Sequence, residues 1–155
     1  MHEHFMRYAL RLAAGNVRPG GGGPFGAVVV DRGEVVGEGV NLVTAQHDPT
    51  AHAEIVAIRD ACQRLRRFEL RGAVIYSSCE PCPMCLAAIY WARLDALYYA
   101  ATRADAARAG FDDEFLYQQI PLPPEQRSLP CHKLLADESG EPFRLWSGFT
   151  GRVPY

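Results

Sequence analysis

The chain has 155 residues, 48% of them hydrophobic, enough for one domain with a substantial core and with no need of a second. A formal net charge of −2 gives no general pull towards a polyanion, so a small neutral partner fits better than nucleic acid. Short apolar runs and an N-terminus carrying His2, Glu3, His4 and Arg7 indicate neither secretion nor a membrane span, and five cysteines, an odd number, suit a reducing, cytoplasmic setting better than a disulfide framework.

In chain order, Phe5, Met6, Leu10, Ala13, Ala14 and Val17 recur at a period near that of a helix and predict an amphipathic helix over residues 3–17, ended by Gly20 to Gly23. The glycine run has the composition of a phosphate loop. The strand-like Ala27-Val28-Val29-Val30 follows it instead of a helix, however, and no Lys-Ser or Lys-Thr pair does, which argues against phosphate binding. Asp31-Arg32-Gly33-Glu34 predicts a tight turn into Val35 to Val40, making an antiparallel hairpin. A polar loop then reaches Asp48-Pro49-Thr50, where Asp48 or Thr50 is placed to cap a helix over residues 52–67 and Pro49 pre-sets its entry. Arg59, Arg64, Arg66, Arg67 and Arg71 read as the solvated end of that helix rather than as a track for a phosphate backbone.

Ala73-Val74-Ile75-Tyr76 predicts a buried strand running into Cys79-Glu80-Pro81-Cys82-Pro83-Met84-Cys85, with a helix over residues 82–93. Leu97 to Ala101 is the next strand, parallel to residues 73–76 through a right-handed crossover. Alternating strands and helices give the α/β class. Beyond Thr102 the signals shorten to a helix over 103–109, a turn at Gly110-Phe111-Asp112-Asp113 and a helix over 114–119. The stretch bearing Pro121, Pro123, Pro124 and Pro130 excludes regular structure, and Phe143, Trp146 and Phe149 predict a short final helix.

Two thiols at C-x-x-C spacing, Cys82 and Cys85, with His52 thirty residues before Cys82, offer soft sulfur and nitrogen ligands that suit zinc. Three protein ligands leave a fourth position for water, the arrangement of a reactive rather than a structural site. Zinc lowers the pKa of that water, and Glu54, two places after the histidine, is then the group free to move its proton. Because side chains two apart diverge within a helix, His52 and Glu54 can converge only off the helix end. Cys82 and Cys85 fall in a first helical turn, where the helix dipole favours thiolate. The competing reading makes Cys79 a fourth ligand of a closed, non-catalytic zinc module. Cys79 sits at a strand end before Glu80-Pro81, and a closed site leaves Glu54 without a role.

H-x-E followed by P-C-x-x-C is the signature of the zinc-dependent nucleobase deaminases. With Gly23-Pro24-Phe25-Gly26-Ala27-Val28, Asp48 to Glu54, Ser78 to Cys85 and Ala109 to Asp113, the chain resembles the bacterial guanine deaminases of the cytidine-deaminase-like fold over nearly its whole length, weakening in the last thirty residues. The resemblance implies a three-layer α/β/α sandwich with a mixed central sheet and one zinc per chain, held by His52, Cys82 and Cys85. It implies hydrolysis of guanine to xanthine and ammonia, with Glu54 as proton shuttle and Asp113 as a second relay. Asp112 is the neighbouring alternative to Asp113, and the choice rests on the family match. Asn41 would read the purine edge, Phe25, Ala53, Trp91 and Phe111 would line the pocket, and Tyr155 would close it. Residues 1–155 would form one domain whose arm, 120–155, swaps between subunits of a homodimer to cover the partner's site. Guanosine, aminotriazine, cytosine and tRNA adenosine deaminases share the core motif and are the alternatives; the last would need a positively charged face for its RNA.

Overall fold

The hairpin turn at Arg32-Gly33 sets the first half of the sheet in the computed structural model, which describes residues 2–155. Strand β1 (Gly26–Asp31) pairs antiparallel with β2 (Glu34–Val40), and Arg32 and Gly33 take positive φ angles of 50° and 84°. Such a two-residue turn matches the right-handed twist of the strands it joins. On its other edge β1 pairs antiparallel with β3 (Ala73–Cys79), and β3 pairs parallel with β4 (Ala96–Ala101), giving a mixed sheet in the order β2-β1-β3-β4. β1 is buried on both faces from Gly26 to Val30, so its sequence is a continuous apolar run rather than an alternating one.

Each face of the sheet carries a helical layer. α1 (His2–Asn16) packs Phe5 and Ala9 against Val28, Val30 and Tyr76 on one side. α3 (Ala53–Leu65) and α4 (Pro83–Trp91) cover Ala27, Val29 and Ile75 on the other, through Ala53, Ala57, Ala61 and Ile89. The chain is thus an α/β sandwich, as its alternating pattern predicts, with the mixed central sheet that the resemblance implies. Between β2 and α3 lies α2 (Val43–Gln46), a single turn inside the stretch read as loop.

Glycine decides how closely α3 approaches. A Cβ on Gly39 would stand 2.1 Å from the Ala53 carbonyl oxygen, and one on Gly37 would stand 2.4 Å from that of Ala57. The helix backbone therefore lies directly on β2, with its first turn over Gly39.

The α1 stripe differs from the one read in the sequence. Phe5, Ala9, Ala13 and Asn16 are its buried residues, whereas Leu10 and Val17 are exposed. Ala9 is used because the helix backbone sits close to β1: a Cβ on Gly26 would meet the Ala9 carbonyl oxygen at 2.5 Å. The α3 cap also differs. Asp48 accepts from the Thr50 amide at 2.8 Å and hydroxyl at 2.7 Å, closing its own turn, and the N-cap is His52 with no side-chain cap bond. Four of the arginines in and after α3 are balanced by carboxylates: Arg59 with Asp48, Arg64 with Asp60, Arg67 with Asp31 and Arg71 with Glu69.

The chain divides into two compact units between Asp113 and Glu114. The first closes with α5 (Arg103–Arg108), whose Thr102 and Asp105 form a reciprocal capping box. The second holds α6 (Glu114–Gln119) and α7 (Glu141–Gly148). Its proline stretch contains one 3₁₀ turn, Pro124–Gln126, a correction to the reading of no regular structure; proline is tolerated in a first helical turn. Phe143, Leu145, Trp146 and Phe149 in and beside α7 are exposed. Among the described residues no helix is long and apolar enough to cross a membrane.

Candidate active site

Two helix starts meet at the carboxyl end of β3. His52 immediately precedes α3 in extended conformation, φ −69° and ψ 156°, so its ring leaves the helix direction and can turn towards the first-turn residue Glu54. Cys82 holds the same place before α4, φ −64° and ψ 167°, with Pro83 opening the helix and Cys85 one turn in. The Nδ1 of His52 lies 3.6 Å from the Cys82 sulfur and 3.5 Å from the Cys85 sulfur, and the three donor atoms fall within 4.8 Å of one another. A tetrahedral zinc with its usual bonds to sulfur and imidazole nitrogen separates those donors by about 3.5 Å, so the set fits that ion in both chemistry and spacing.

Without a cation the two thiols divide one proton unequally. Cys82 is drawn down to about 4, mainly by the hydrogen bond from Cys85 and then by that from His52. Cys85 is pushed far up, because it donates to Cys82 and is buried beside Glu54. The His52 ring is raised by its bond to Cys82. A divalent cation replaces that proton sharing by binding both sulfurs as thiolates and the imidazole as a neutral donor.

Cys79 does not belong to this group. Its sulfur donates to the Thr102 carbonyl oxygen at 3.5 Å, and burial pushes its thiol up to about 11. The three-ligand cluster of the described residues therefore excludes it. All five cysteines are free thiols.

Glu54 is 6% exposed, and burial raises its carboxyl above the ordinary carboxylate range. Its Oε1 accepts from the hydroxyl of buried Ser77 at 3.2 Å. The sequence reading gave Ser77 no role; its signal there is one of two adjacent serines, Ser77 and Ser78, where an apolar strand runs into the cysteine motif. Asp113, half-buried, is raised first by burial and then by the Cys82 charge, whereas Asp112 is exposed.

Beside His52 opens a cleft of about 870 Å³ lined by Val17, Arg18, Gly21 to Pro24, Asn41, Val43, Thr44 and Phe111. Phe25 stands edge-on to Phe111, ring centres 4.9 Å apart at 86°. Asn41 is buried at the strand end, its Oδ1 accepting from the Val43 amide at 3.3 Å. His52, Asn41 and Phe111 are thus brought to one cleft, with Phe25 behind its wall. Ala53 is fully buried with its carbonyl over Gly39. Trp91 is at the far end of α4, 64% exposed, and is not among the residues lining this cleft; Tyr155 belongs to the second unit and is exposed.

Residues 1–101 match the family model of the cytidine and deoxycytidylate deaminase zinc-binding region. Guanine deaminase of Bacillus subtilis is 50% identical over 154 residues, 99% of each chain, and the X-ray structure of that enzyme superposes with a TM-score of 0.97, covering 100% of this chain and 99% of that one. A tRNA-specific adenosine deaminase of Haemophilus influenzae is 41% identical over 118 residues, 73% of this chain and 68% of that protein. A structure of guanine deaminase from Nitrosomonas europaea gives a TM-score of 0.68 at 35% identity, over 72% of this chain and 64% of that one.

Proposed function

The chain belongs to the cytidine and deoxycytidylate deaminase zinc-binding family, and from that premise we propose that it hydrolyses guanine to xanthine and ammonia. The observation that carries the substrate is full-length similarity, at 50% identity, to a guanine deaminase. tRNA adenosine deaminases match over a shorter span, and four of the five arginines that could have met RNA pair with Asp31, Asp48, Asp60 and Glu69.

His52, Cys82 and Cys85 hold the zinc. When bound, zinc supplies Lewis acidity sufficient to generate a nucleophile from water near neutral pH. The remaining work falls to side chains of this chain. Glu54 takes one proton of the attacking water and delivers it to the ring nitrogen beside C2; it then takes the remaining hydroxyl proton at C2 and passes it to the amine, which leaves as ammonia as the C–N bond breaks and the C2 carbonyl forms. Burial suits the carboxyl to both halves of that cycle, since a raised pKa makes it a better base and a usable acid. The Ser77 hydroxyl fixes one carboxylate oxygen and leaves the other for transfer. Asp113 serves as the second relay on the amine side. The Asn41 amide reads the purine edge, and Phe111 supplies an apolar side of the cleft with Phe25 standing edge-on to it.

The fold is read as one deaminase domain whose arm, residues 120–155, is exchanged within a homodimer so that Tyr155 closes the partner's cleft. Support comes from the separate second unit and from the exposed apolar side chains of α7, which a neighbouring subunit can cover. Five free thiols suit the cytoplasm. The deciding experiment is ammonia release by the zinc-loaded protein across purines, pyrimidines and their nucleosides. Guanine should be the preferred substrate; turnover of cytosine or of a tRNA anticodon loop with guanine inert would overturn the reading.

A further inference from the structure

One buried amide ties the two walls of the cleft together. Asn16, the last residue of α1, is 4% exposed. Its Nδ2 donates to the Gly23 carbonyl at 2.9 Å and to the Asn41 carbonyl at 2.8 Å. Both side-chain hydrogens are thereby spent on backbone acceptors of two segments that are far apart in sequence. The first is the glycine loop, which contributes Gly21, Gly22 and Gly23 to the cleft; the second is the end of β2, which contributes Asn41.

The loop's other ties sit at its start, where the Thr44 hydroxyl donates to the Gly21 carbonyl at 3.1 Å and the Gly21 amide to the Arg18 carbonyl at 2.9 Å. A run of four glycines has the widest conformational choice of any tetrapeptide and loses the most entropy on being fixed. Its contacts are also very close: a Cβ on Gly22 would stand 2.3 Å from the Asn41 carbonyl oxygen, and one on Gly21 would stand 2.0 Å from that of Asn16. The glycines allow the loop to lie against Asn41, and the Asn16 amide holds it there. The Gly23 carbonyl also accepts from the Phe25 amide at 2.8 Å, and the Phe25 carbonyl accepts from the Asn41 amide at 3.1 Å. The clamp therefore reaches Phe25, whose ring meets Phe111, as well as Asn41.

We propose that Asn16 is a positioning residue for substrate binding, acting through the glycine loop and the Asn41 backbone rather than by touching the substrate. The proposal rests on the guanine deaminase reading for its substrate but concerns binding geometry, since Asn16 is remote in the chain from His52, Glu54 and the zinc thiols. Removing its two N–H donors takes that bond from the Asn41 carbonyl, leaves the Gly23 carbonyl with only the Phe25 amide, and loosens the loop. Asn41 and Phe25 then spend less time where the base needs them, which weakens ground-state and transition-state binding alike and appears in KM rather than kcat.

The test is steady-state kinetics of the zinc-loaded, full-length protein with guanine, beside amide hydrogen exchange over residues 20–25. Asn16→Asp keeps the shape and removes both donors. It should raise KM about tenfold or more with kcat within about twofold, and should accelerate exchange in the loop with zinc content unchanged. Asn16→Ser, which retains a single donor, should fall between. Gly22→Ala attacks the same wall with Asn16 intact and should give the same KM-dominated loss, so the idea stays testable if the aspartate variant does not fold. A lower melting temperature with unchanged KM and loop exchange would make Asn16 merely structural and overturn the proposal, as would a loss confined to kcat. Inert wild-type protein would instead overturn the substrate reading, and the exchange data would still judge the clamp.

Discussion

Gly39→Ala is a sharp perturbation of the packing beside the zinc site, because the added methyl meets backbone that no rotamer change can remove. The new Cβ would stand 2.1 Å from the Ala53 carbonyl oxygen, more than an ångström short of ordinary contact, which begins at 3.4 Å. Either β2 or the first turn of α3 must yield. Overpacking of this kind costs about 1–3 kcal/mol, and a carbonyl obstacle belongs at the upper end, about 2–3 kcal/mol. For a chain of this size that is a fall of about 4–12 °C in melting temperature. The helix turn that recedes also carries His52 and Glu54, and a misplacement of about 1 Å at a reacting centre costs about 10²-fold in turnover. Gly37→Ala is the control. Its Cβ would meet the Ala57 oxygen at 2.4 Å, one turn further along the same helix, so it should lose comparable stability but less than about tenfold in kcat. Calorimetry and guanine turnover, each referred to measured zinc, separate the two. Wild-type turnover in Gly39→Ala, or equal turnover losses in both variants, would refute the claim that the β2 glycines position the site.

Glu54→Gln should keep zinc and lose at least ~10²–10⁴-fold in turnover, since proton transfer is worth that much and this residue acts more than once; an active variant sinks the assignment. Cys82→Ala and Cys85→Ala should each lose metal as well as activity, checked by metal analysis of the purified variants. Removing residues 151–155 should leave a folded, zinc-loaded dimer whose guanine turnover collapses. Full activity in that truncation, or an intact protein that sediments as a monomer, would refute the exchanged arm. Cys79 should resist alkylation at pH 8 in the native protein while exposed Cys131 reacts, with labelled peptides as the readout. Burial pushes the Cys79 thiol from 9.0 to about 11, so the folded state holds its proton more tightly and loses stability as pH rises across that interval.

The zinc-site residues were legible because their chemistry is written in spacing. C-x-x-C at a helix start places two sulfurs one turn apart, and H-x-E at another helix start lets the imidazole turn off the axis while the carboxylate stays on it. The sheet was legible for a similar reason, since a positive-φ Arg32-Gly33 turn admits little but a hairpin. What stayed hidden depends on distances across the fold. Asn16 lay unremarked inside the helix predicted over residues 3–17 and Ser77 carried no role, until packing put them against the Gly23 and Asn41 carbonyls and against Glu54. Asp48 was read as a helix cap, but an aspartate can close its own turn with the residue two ahead, and no local pattern distinguishes the two. Leu10 outranked Ala9 in hydrophobicity, yet close approach to Gly26 selects the smaller residue.

The sheet order has a consequence for how the protein comes to hold its metal. β1 and β2 meet through a two-residue turn, and such hairpins close in about 1–10 μs. Joining β1 to β3 requires contacts such as the Gly26 amide with the Ser78 hydroxyl, 52 residues apart, and long closures of this sort slow folding. His52 lies before β3 and both zinc thiols lie after it, so the donors converge only once that distant strand has docked. Until then Cys79, Cys82 and Cys85 share one unfolded stretch, open to pairing with one another. Refolding from denaturant should therefore give more active enzyme when a thiol reductant is present from the start than when it is added after zinc, because the error it prevents is made before the metal has anywhere to bind.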